Sequence, residues 1–209
     1  MLNDLTASSL TQFHDDMLAN PEWPSFQLLE ERRGAWLWIE ANHRYNTLLW
    51  NEEDKARRTD VNPAEIAACK RLIDQHNQKR NDAIEAIDEA LLSELDNHPR
   101  AEDARLNSET AGAMIDRLSI LSLKIFHMRD QTRRVDASED HIALCTAKLQ
   151  RLITQREDLA SCLRQLFADI EEGRAYFKVY RQFKMYNDPT LNPYLYQKSR
   201  TENPGKAAA

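Results

Sequence analysis

The stretch that decides the fold is residues 39–82, IEANHRYNTLLWNEEDKARRTDVNPAEIAACKRLIDQHNQKRND, because it recurs without a gap as residues 115–158, IDRLSILSLKIFHMRDQTRRVDASEDHIALCTAKLQRLITQRED. Ten of the 44 aligned pairs are identical. They include Arg57-Arg58 with Arg133-Arg134, Cys69 with Cys145, and Arg80 with Arg156. The repeat predicts a duplicated helix–turn–helix unit, with one hairpin over residues 26–95 and the second over residues 109–172.

Working outward, the composition favours long helices. The chain of 209 residues has four glycines, and glycine and proline are the residues that cost most inside a helix. Asn62-Pro63 with Glu65, and Ser138 in the second copy, are typical helix starts. We therefore predict an all-α fold: an antiparallel four-helix bundle made of the two repeated hairpins. A short N-terminal helix within residues 1–20, a polar loop over residues 100–108 and a basic, aromatic C-terminal segment complete it.

Composition also limits the class of protein. We predict a single helical domain over residues 1–195 and a disordered tail over residues 196–209. The net charge of −6 argues against nucleic-acid binding. Three widely spaced cysteines are typical of reduced thiols. The N-terminus does not resemble a signal peptide, and no apolar run reaches the ~20 residues of a spanning helix. The expected location is cytoplasmic. The sequence leaves open whether the protein contacts a membrane surface and which oligomeric state it has.

A polar stripe follows one face of the first long helix. Counting from the turn places Arg80 level with Glu40, and Arg156 level with Asp116, which predicts two salt bridges within the hairpins. His43 should lie near the level of His76 and Asn77. These residues are either a structural network or a polar pocket between the hairpins. The pocket candidates are Glu40, His43, Asp54, Arg57, Asn77, Arg80, Asp116, Lys124, His127 and Arg156.

Metal chemistry can be tested against spacing. Glu40 and His43 form the Glu-x-x-His of a di-iron bundle, but Ser119 replaces the histidine in the repeat, so we reject that site. Glu85 and Asp88 form one acidic pair of the kind that holds Mg²⁺ in helical nucleotide pyrophosphatases. Acidic pairs at this spacing are common on solvated helices, and we predict no metal site and no cofactor.

The C-terminal segment alternates aromatic and basic residues at steps of three. As a helix, it would present the two kinds of residue side by side. It would pack on the bundle or dock on an acidic partner, a phosphosugar or a membrane surface. The docking candidates are Phe177, Lys178, Tyr180, Arg181 and Lys184.

Four stretches resemble the bacterial domain-of-unknown-function 4254 family. They are LWNEEDKAR (49–57), IDQHNQKRND (73–82), NSETAGAMIDRLSIL (107–121) continued by LKIFHM (123–128), and KMYNDP (184–189). The resemblance covers roughly residues 30–195. Members of that family are uncharacterised and often lie beside cell-envelope glycosyltransferases, so the resemblance brings no established active site.

Two functions follow as expectations. The resemblance implies an accessory protein that binds a partner, such as a glycosyltransferase, in surface-polysaccharide or lipopolysaccharide assembly. The polar stripe favours the alternative, a metal-dependent or small-molecule enzyme, such as a nucleotide or sugar-nucleotide hydrolase, that uses a pocket between the hairpins. Burial separates the two, because catalytic groups must converge on an accessible cavity, whereas structural pairs are sealed and mutually satisfied.

Overall fold

The computed structural model describes residues 5–25, 34–95, 99–183, 185 and 188–195, and these are mostly helical. The prediction of an all-α fold is confirmed. The elements are α1 (Ala7–Ala19), α2 (Ala35–Lys55), α3 (Pro63–Leu95), β1 (Arg105–Leu106), α4 (Ala111–Thr132), α5 (Glu139–Glu171) and β2 (Ala175–Tyr176). The expected helical residues 26–33 and the expected tail over 196–209 lie outside the described residues.

The boundaries of the helices follow the repeat. The first residues of α2 and α4, 35 and 111, are 76 positions apart, and so are the first residues of α3 and α5, 63 and 139. The two turns also contain the same interaction. Arg58 donates to Asp60 at 3.1 and 2.8 Å, and Arg134 donates to Asp136 at 3.1 and 2.6 Å, in each case from Nε and Nη2. The same residues therefore build both turns.

Each hairpin is held at its turn by the predicted caps. The Asn62 side chain accepts a hydrogen bond from the Ala64 amide at 2.8 Å, and the Ser138 side chain accepts from the His141 amide at 3.3 Å. These bonds satisfy amides that the first helical turn leaves without a partner. Helix α4 begins slightly later than residues 108–109, because Thr110 is the residue that caps it.

Helix α3 returns alongside α2, and α5 packs against α4. Near the first turn Lys70 Nζ lies 3.7 Å from Glu53 Oε2, and at the far end a Cβ added at Gly34 would lie 3.1 Å from Glu94 Oε1. Residues of α1 join the main core through Leu10 and Phe13. Helix α1 packs against α4 and α5, a position that the sequence did not predict.

The expected loop over residues 100–108 contains a short strand. Its two residues, Arg105 and Leu106, pair in parallel with Ala175 and Tyr176. Gly173 ends α5 with a φ of +75°, and a Cβ there would lie 2.4 Å from the Pro99 carbonyl oxygen. Only glycine combines this backbone conformation with so close an approach.

Contacts divide the chain into a unit of residues Met1–Val179 and a unit of residues Tyr180–Ala209. In the first unit, Phe177 is buried in the core, and Lys178 Nζ lies 5.9 Å from the Tyr176 ring centroid. In the second, the Asp188 side chain accepts two hydrogen bonds from Thr190, at 2.7 and 2.6 Å.

The C-terminal docking segment is not the helix that its spacing suggested. Residues 177–183 have no regular secondary structure, Tyr180 and Arg181 belong to the second unit, and Lys184 lies outside the described residues. Among the helices that are described, none combines the length and apolar character needed to cross a membrane.

Candidate functional site

A sealed polar layer lies between the helices, and Asp116 is its centre. One carboxylate oxygen of Asp116 accepts hydrogen bonds from Asn42 at 2.8 Å, from Asn46 at 2.9 Å and from Arg80 Nε at 2.7 Å. The other oxygen binds Arg80 Nη2. Asp116 is 3% exposed, so the guanidinium fork of Arg80 and the two amides replace water around a buried charge.

Both salt bridges predicted within the hairpins are wrong. Arg80 binds Asp116 rather than Glu40. Arg156 binds Asp15 of α1 at 2.6 Å and Ser122 at 3.2 Å, rather than Asp116. The count from the turn gives the height of a residue along the hairpin but not the face on which it lies. Arg80 faces the neighbouring hairpin, and α1 supplies the carboxylate that Arg156 binds.

Two histidines are buried in the same layer. His14 of α1 and His43 of α2 have ring centroids 4.5 Å apart, and His43 Nδ1 shares a hydrogen bond of 2.8 Å with Ser119. Burial lowers the pKa of His43 to about 3. Burial also lowers the pKa of His14, as do the nearby His43 and Arg156. Both rings are therefore neutral at pH 7. His76, which the count placed near the level of His43, stacks instead with Tyr45, with the two ring centroids 6.1 Å apart.

The acidic pair proposed for Mg²⁺ also has a structural position. Asp88 is buried, and its Oδ1 accepts a hydrogen bond of 2.6 Å from the Gly112 amide, which ties α3 to the first turn of α4. Burial raises the pKa of Asp88 to about 6. Across the part of the chain that the structure describes, no three His, Cys, Asp or Glu residues are grouped so as to hold a metal ion.

The accessible site is a cleft between α2, α4 and α5, with a volume of about 540 Å³. Its floor includes Trp50 and His127, whose rings are parallel within 4° and have centroids 4.5 Å apart. Met128 and Leu152 extend this apolar floor. The exposed charged residues of the wall are Asp54, Lys124, Lys148 and Arg151. We refer to this site as the cationic cleft.

The charges of the cationic cleft do not balance. Of the residues that line the cleft, three carry a positive charge, Lys124, Lys148 and Arg151, and one carries a negative charge, Asp54, which is an excess of two positive charges in the lining. Among the described residues, none of these three cations forms a salt bridge. Burial lowers the pKa of His127 although Asp54 and Asp130 favour its charged form, so the ring is neutral at pH 7. The cleft thus combines an aromatic floor with a wall on which cations outnumber carboxylates.

A second opening, which we call the groove, lies between α2, α3 and α4 and has a volume of about 490 Å³. Its wall includes Asp54, Arg57, Asn77 and Arg80. It adjoins the cationic cleft, because Trp50 and Asp54 line both.

The structure thus separates the pocket candidates that the sequence grouped together. Asp54, Lys124 and His127 line the cleft. Asp54, Arg57, Asn77 and Arg80 line the groove. Glu40, His43 and Asp116 are sealed in the polar layer, and Arg156 lies against α1.

Sequence reasoning missed several residues of these sites. Lys148 and Arg151 belong to the cleft, and the repeat contains a signal for both, because Leu72 and Gln75 occupy their positions in the first copy. It also missed His14 and Asp15. No signal locates those two, because nothing in the sequence of α1 indicates which helices it packs against.

The comparison with protein families gives one match. Residues 36–179 match the family described as "Protein of unknown function (DUF4254)". The match covers α2 to β2 and begins after α1. No curated protein and no solved structure matches the chain.

Proposed function

Since the chain belongs to the DUF4254 family, whose description names no activity, we propose a function from the site itself: the cationic cleft binds an organic phosphate that carries a flat or apolar group. The observation that carries this proposal is the difference between the two copies of the repeat. The three cations of the cleft and His127 have uncharged or amide counterparts in the first hairpin. The pairs are Lys124 with Leu48, His127 with Asn51, Lys148 with Leu72, and Arg151 with Gln75.

The fold therefore does not require these cations. The first hairpin forms the same helix pair with leucine at two of the positions, so the charges at Lys124 and Lys148 are dispensable for helix formation and packing. Concentrating like charges in one cleft is unfavourable unless a counter-ion is bound there. In a chain of net charge −6, this local excess of positive charge favours an anionic ligand.

The size of the excess favours phosphate. A phosphate monoester carries a charge of about −1.5 to −2 at pH 7, which matches the two uncompensated positive charges. Lysine and arginine side chains supply the charge-assisted hydrogen bonds that phosphate oxygens accept. The floor of Trp50, Met128 and Leu152 can cover an apolar or aromatic group of the same ligand, and a volume of about 540 Å³ is typical of small-molecule sites.

The proposal is tested by calorimetric titration with adenosine 5′-monophosphate. Wild type should bind it more tightly than inorganic phosphate or adenosine, because only the nucleotide engages both the wall and the floor. Binding should also weaken as salt is raised. The variant K124L/K148L carries the residues of the first hairpin and should bind about tenfold less tightly or worse, given ~1.4 kcal/mol per tenfold change.

The matched control removes two charges from the first hairpin. Lys55 and Lys79 correspond to Gln131 and Gln155, which line the cleft, so K55Q/K79Q changes the net charge by the same amount at equivalent positions. It should bind the nucleotide as wild type does. The proposal fails if wild type binds neither nucleotide nor phosphate, or if the two double variants bind equally well.

We also propose that the two hairpins form an antiparallel four-helix bundle. The contacts of α2 with α4 and of α3 with α4, beside those within each hairpin, support this arrangement. Residual dipolar couplings measure the directions of the helix axes. Axes of α2 to α5 within about 20–30° of parallel or antiparallel would agree with the proposal, and near-perpendicular axes would contradict it.

The accessory role beside a glycosyltransferase stays a prediction that rests on the family resemblance. The cytoplasmic location stays a prediction that rests on the composition and on the N-terminal sequence. Affinity capture of the tagged chain from its host tests the role. Recovery of a glycosyltransferase would support it, and capture of unrelated proteins alone would contradict it.

A further inference from the structure

Helix α1 and the turn after it occupy a defined seat on the two hairpins. Asp15 of α1 binds Arg156, which also donates to Ser122. Leu18 of α1 and Trp23 of the following turn form an apolar cluster against which Trp50 of α2 and Phe126 of α4 pack. Residues of three helices, α2, α4 and α5, thus contribute to the seat.

The same seat fixes the turn after α1. Trp23 Nε1 donates to Thr47 Oγ1 at 2.9 Å, and Arg44 donates to the Pro24 carbonyl oxygen. The guanidinium carbon of Arg44 also lies 5.1 Å from the centroid of the Trp23 ring. The seat of α1 and its turn therefore includes five residues: Arg44, Thr47, Ser122, Phe126 and Arg156.

These five of the residues that contact α1 and its turn have counterparts in the repeat that line one other surface. The pairs are Arg44 with Ile120, Thr47 with Leu123, Ser122 with Asn46, Phe126 with Trp50, and Arg156 with Arg80. All five counterparts line the groove between α2, α3 and α4. The groove is thus the position that the repeat makes equivalent to the seat of α1, and none of the described residues fills it.

At two equivalent positions the groove is more apolar than the seat. Where the seat has Arg44 and Thr47, the groove has Ile120 and Leu123. Arg80 already binds Asp116, so the groove does not need the carboxylate that Asp15 supplies in the seat. An occupant of the groove should therefore offer apolar side chains where α1 and its turn offer polar contacts.

The groove is also continuous with the interface that α1 makes. Trp50 and Leu123 line the groove, and both belong to the apolar cluster that contains Leu18 and Trp23. A helix bound in the groove would extend that cluster on its open side. At the rim, Glu53 is bound by Arg57 at 2.9 Å, whereas among the described residues Asp54 has no salt-bridge partner. A basic residue on the occupant would complement Asp54.

We propose that the groove is a docking site for an amphipathic helix of a partner protein. That helix has apolar residues spaced three and four apart, as Leu10, Phe13 and Met17 are in α1, and a lysine or arginine at the edge that meets Asp54. Helices of this kind bind apolar grooves through anchors at such spacing. The groove shares Trp50 and Asp54 with the cationic cleft, so binding is tested without nucleotide and with variants at Ile120 and Asn77, which do not line the cleft.

The test uses a labelled peptide of residues 5–25 that carries Asp15→Asn, titrated with the full chain and followed by fluorescence anisotropy. Saturable binding is expected, and the peptide that carries Asp15→Lys should bind several-fold more weakly, because its lysine would meet Arg80, the counterpart of Arg156. Ile120→Arg, which places the seat residue in the groove, should weaken binding at least tenfold. Asn77→Trp, which fills the groove from α3, provides a second variant, and circular dichroism checks that both are folded.

Four outcomes would overturn the proposal. The first is that the wild-type chain does not bind the peptide. The second is that binding is insensitive to both groove variants. The third is that binding strengthens when the full chain carries Asp15→Asn, which would show that the peptide displaces α1 from its own seat. The fourth is a dimer in sedimentation that Ile120→Arg dissociates, which would show that a second copy of this chain fills the groove.

Discussion

The two hairpins have the same turn, whereas the helices on either side of the turn carry different charges at equivalent positions. Arg58 with Asp60 and Arg134 with Asp136 make the same fork in both copies. The cleft cations Lys124 and Lys148 have leucine counterparts in the first hairpin. The two copies of the unit can therefore be compared position by position. We expect a residue present in both copies to serve the fold, and a residue present in only one copy to be available for binding.

The largest expected effect is a loss of stability when the carboxylate bound by Arg80 is removed, compared with removal of the carboxylate bound by Arg156. These arginines are equivalent in the repeat, but Asp116 is 4% exposed in its side chain and Asp15 is 36% exposed. Asp116→Asn leaves the Arg80 charge without its anion in the polar layer. We expect a loss of about 3 kcal/mol in the free energy of unfolding, at the low end for a buried pair because a quarter of Arg80 is exposed.

Asp15→Asn is the control for that variant. It should cost less, about 1–2 kcal/mol, because Asp15 is 36% exposed although Arg156 is only 15% exposed. Urea denaturation of both variants measures the difference, and equal losses would show that the polar layer does not hold the hairpins together as described.

The next effect is the dependence of stability on pH. It arises from a difference between the copies, because the first copy has His43, which can be protonated, where the second has Ser119. Because burial lowers the pKa of His14 and His43, the folded chain binds fewer protons than the unfolded chain below pH 6.5. The free energy of unfolding is therefore retained above pH 6.5. It falls as the pH drops towards 3, by up to about 1.4 kcal/mol per pH unit for each histidine.

His43→Ser should make this fall less steep, as measured by urea denaturation between pH 7 and pH 5. Asp88 acts in the opposite direction, since its raised pKa favours the folded chain below about pH 6. Asp88 is present in both proteins, so its contribution cancels in the difference. An unchanged slope would contradict the assignment of the acid sensitivity to the histidine pair.

The smallest expected effect is the loss of thermal stability when the arginine of either turn is removed. Arg58→Ala and Arg134→Ala remove the same exposed fork from each hairpin, so each should lower the midpoint of thermal unfolding slightly and by the same amount. Differential scanning calorimetry measures both. A clear difference between the two variants would mean that the turns are not equivalent parts of a duplicated unit.

Sequence patterns predicted local features better than contacts between helices. The caps at Asn62 and Ser138 could be predicted because capping depends on residues three or four positions apart. The partners of Arg80 and Arg156 could not, because they depend on which faces meet when separate helices pack. The position of α1 decided one of these pairs.

The candidate site was predictable in part. Lys124 and His127 were identified, whereas Lys148 and Arg151, which lie one turn apart on the neighbouring helix α5, were not. Those two residues face solvent at helical positions where charge is ordinary, so composition and spacing do not distinguish them. A comparison of the two copies of the repeat does distinguish Lys148 and Arg151, because the first copy has Leu72 and Gln75 at the equivalent positions.

The most direct test of the central claim, that the cleft of the second hairpin binds an organic phosphate, is a nuclear magnetic resonance titration that follows the indole N–H signals of the four tryptophans. The Trp50 signal is assigned with Trp50→Phe, which introduces the residue that the second copy has at the equivalent position, Phe126. Adenosine 5′-monophosphate should shift that signal saturably in the wild type and much less in K124L/K148L. A Trp50 signal that stays fixed while the nucleotide binds, or that shifts equally in both proteins, would contradict the claim.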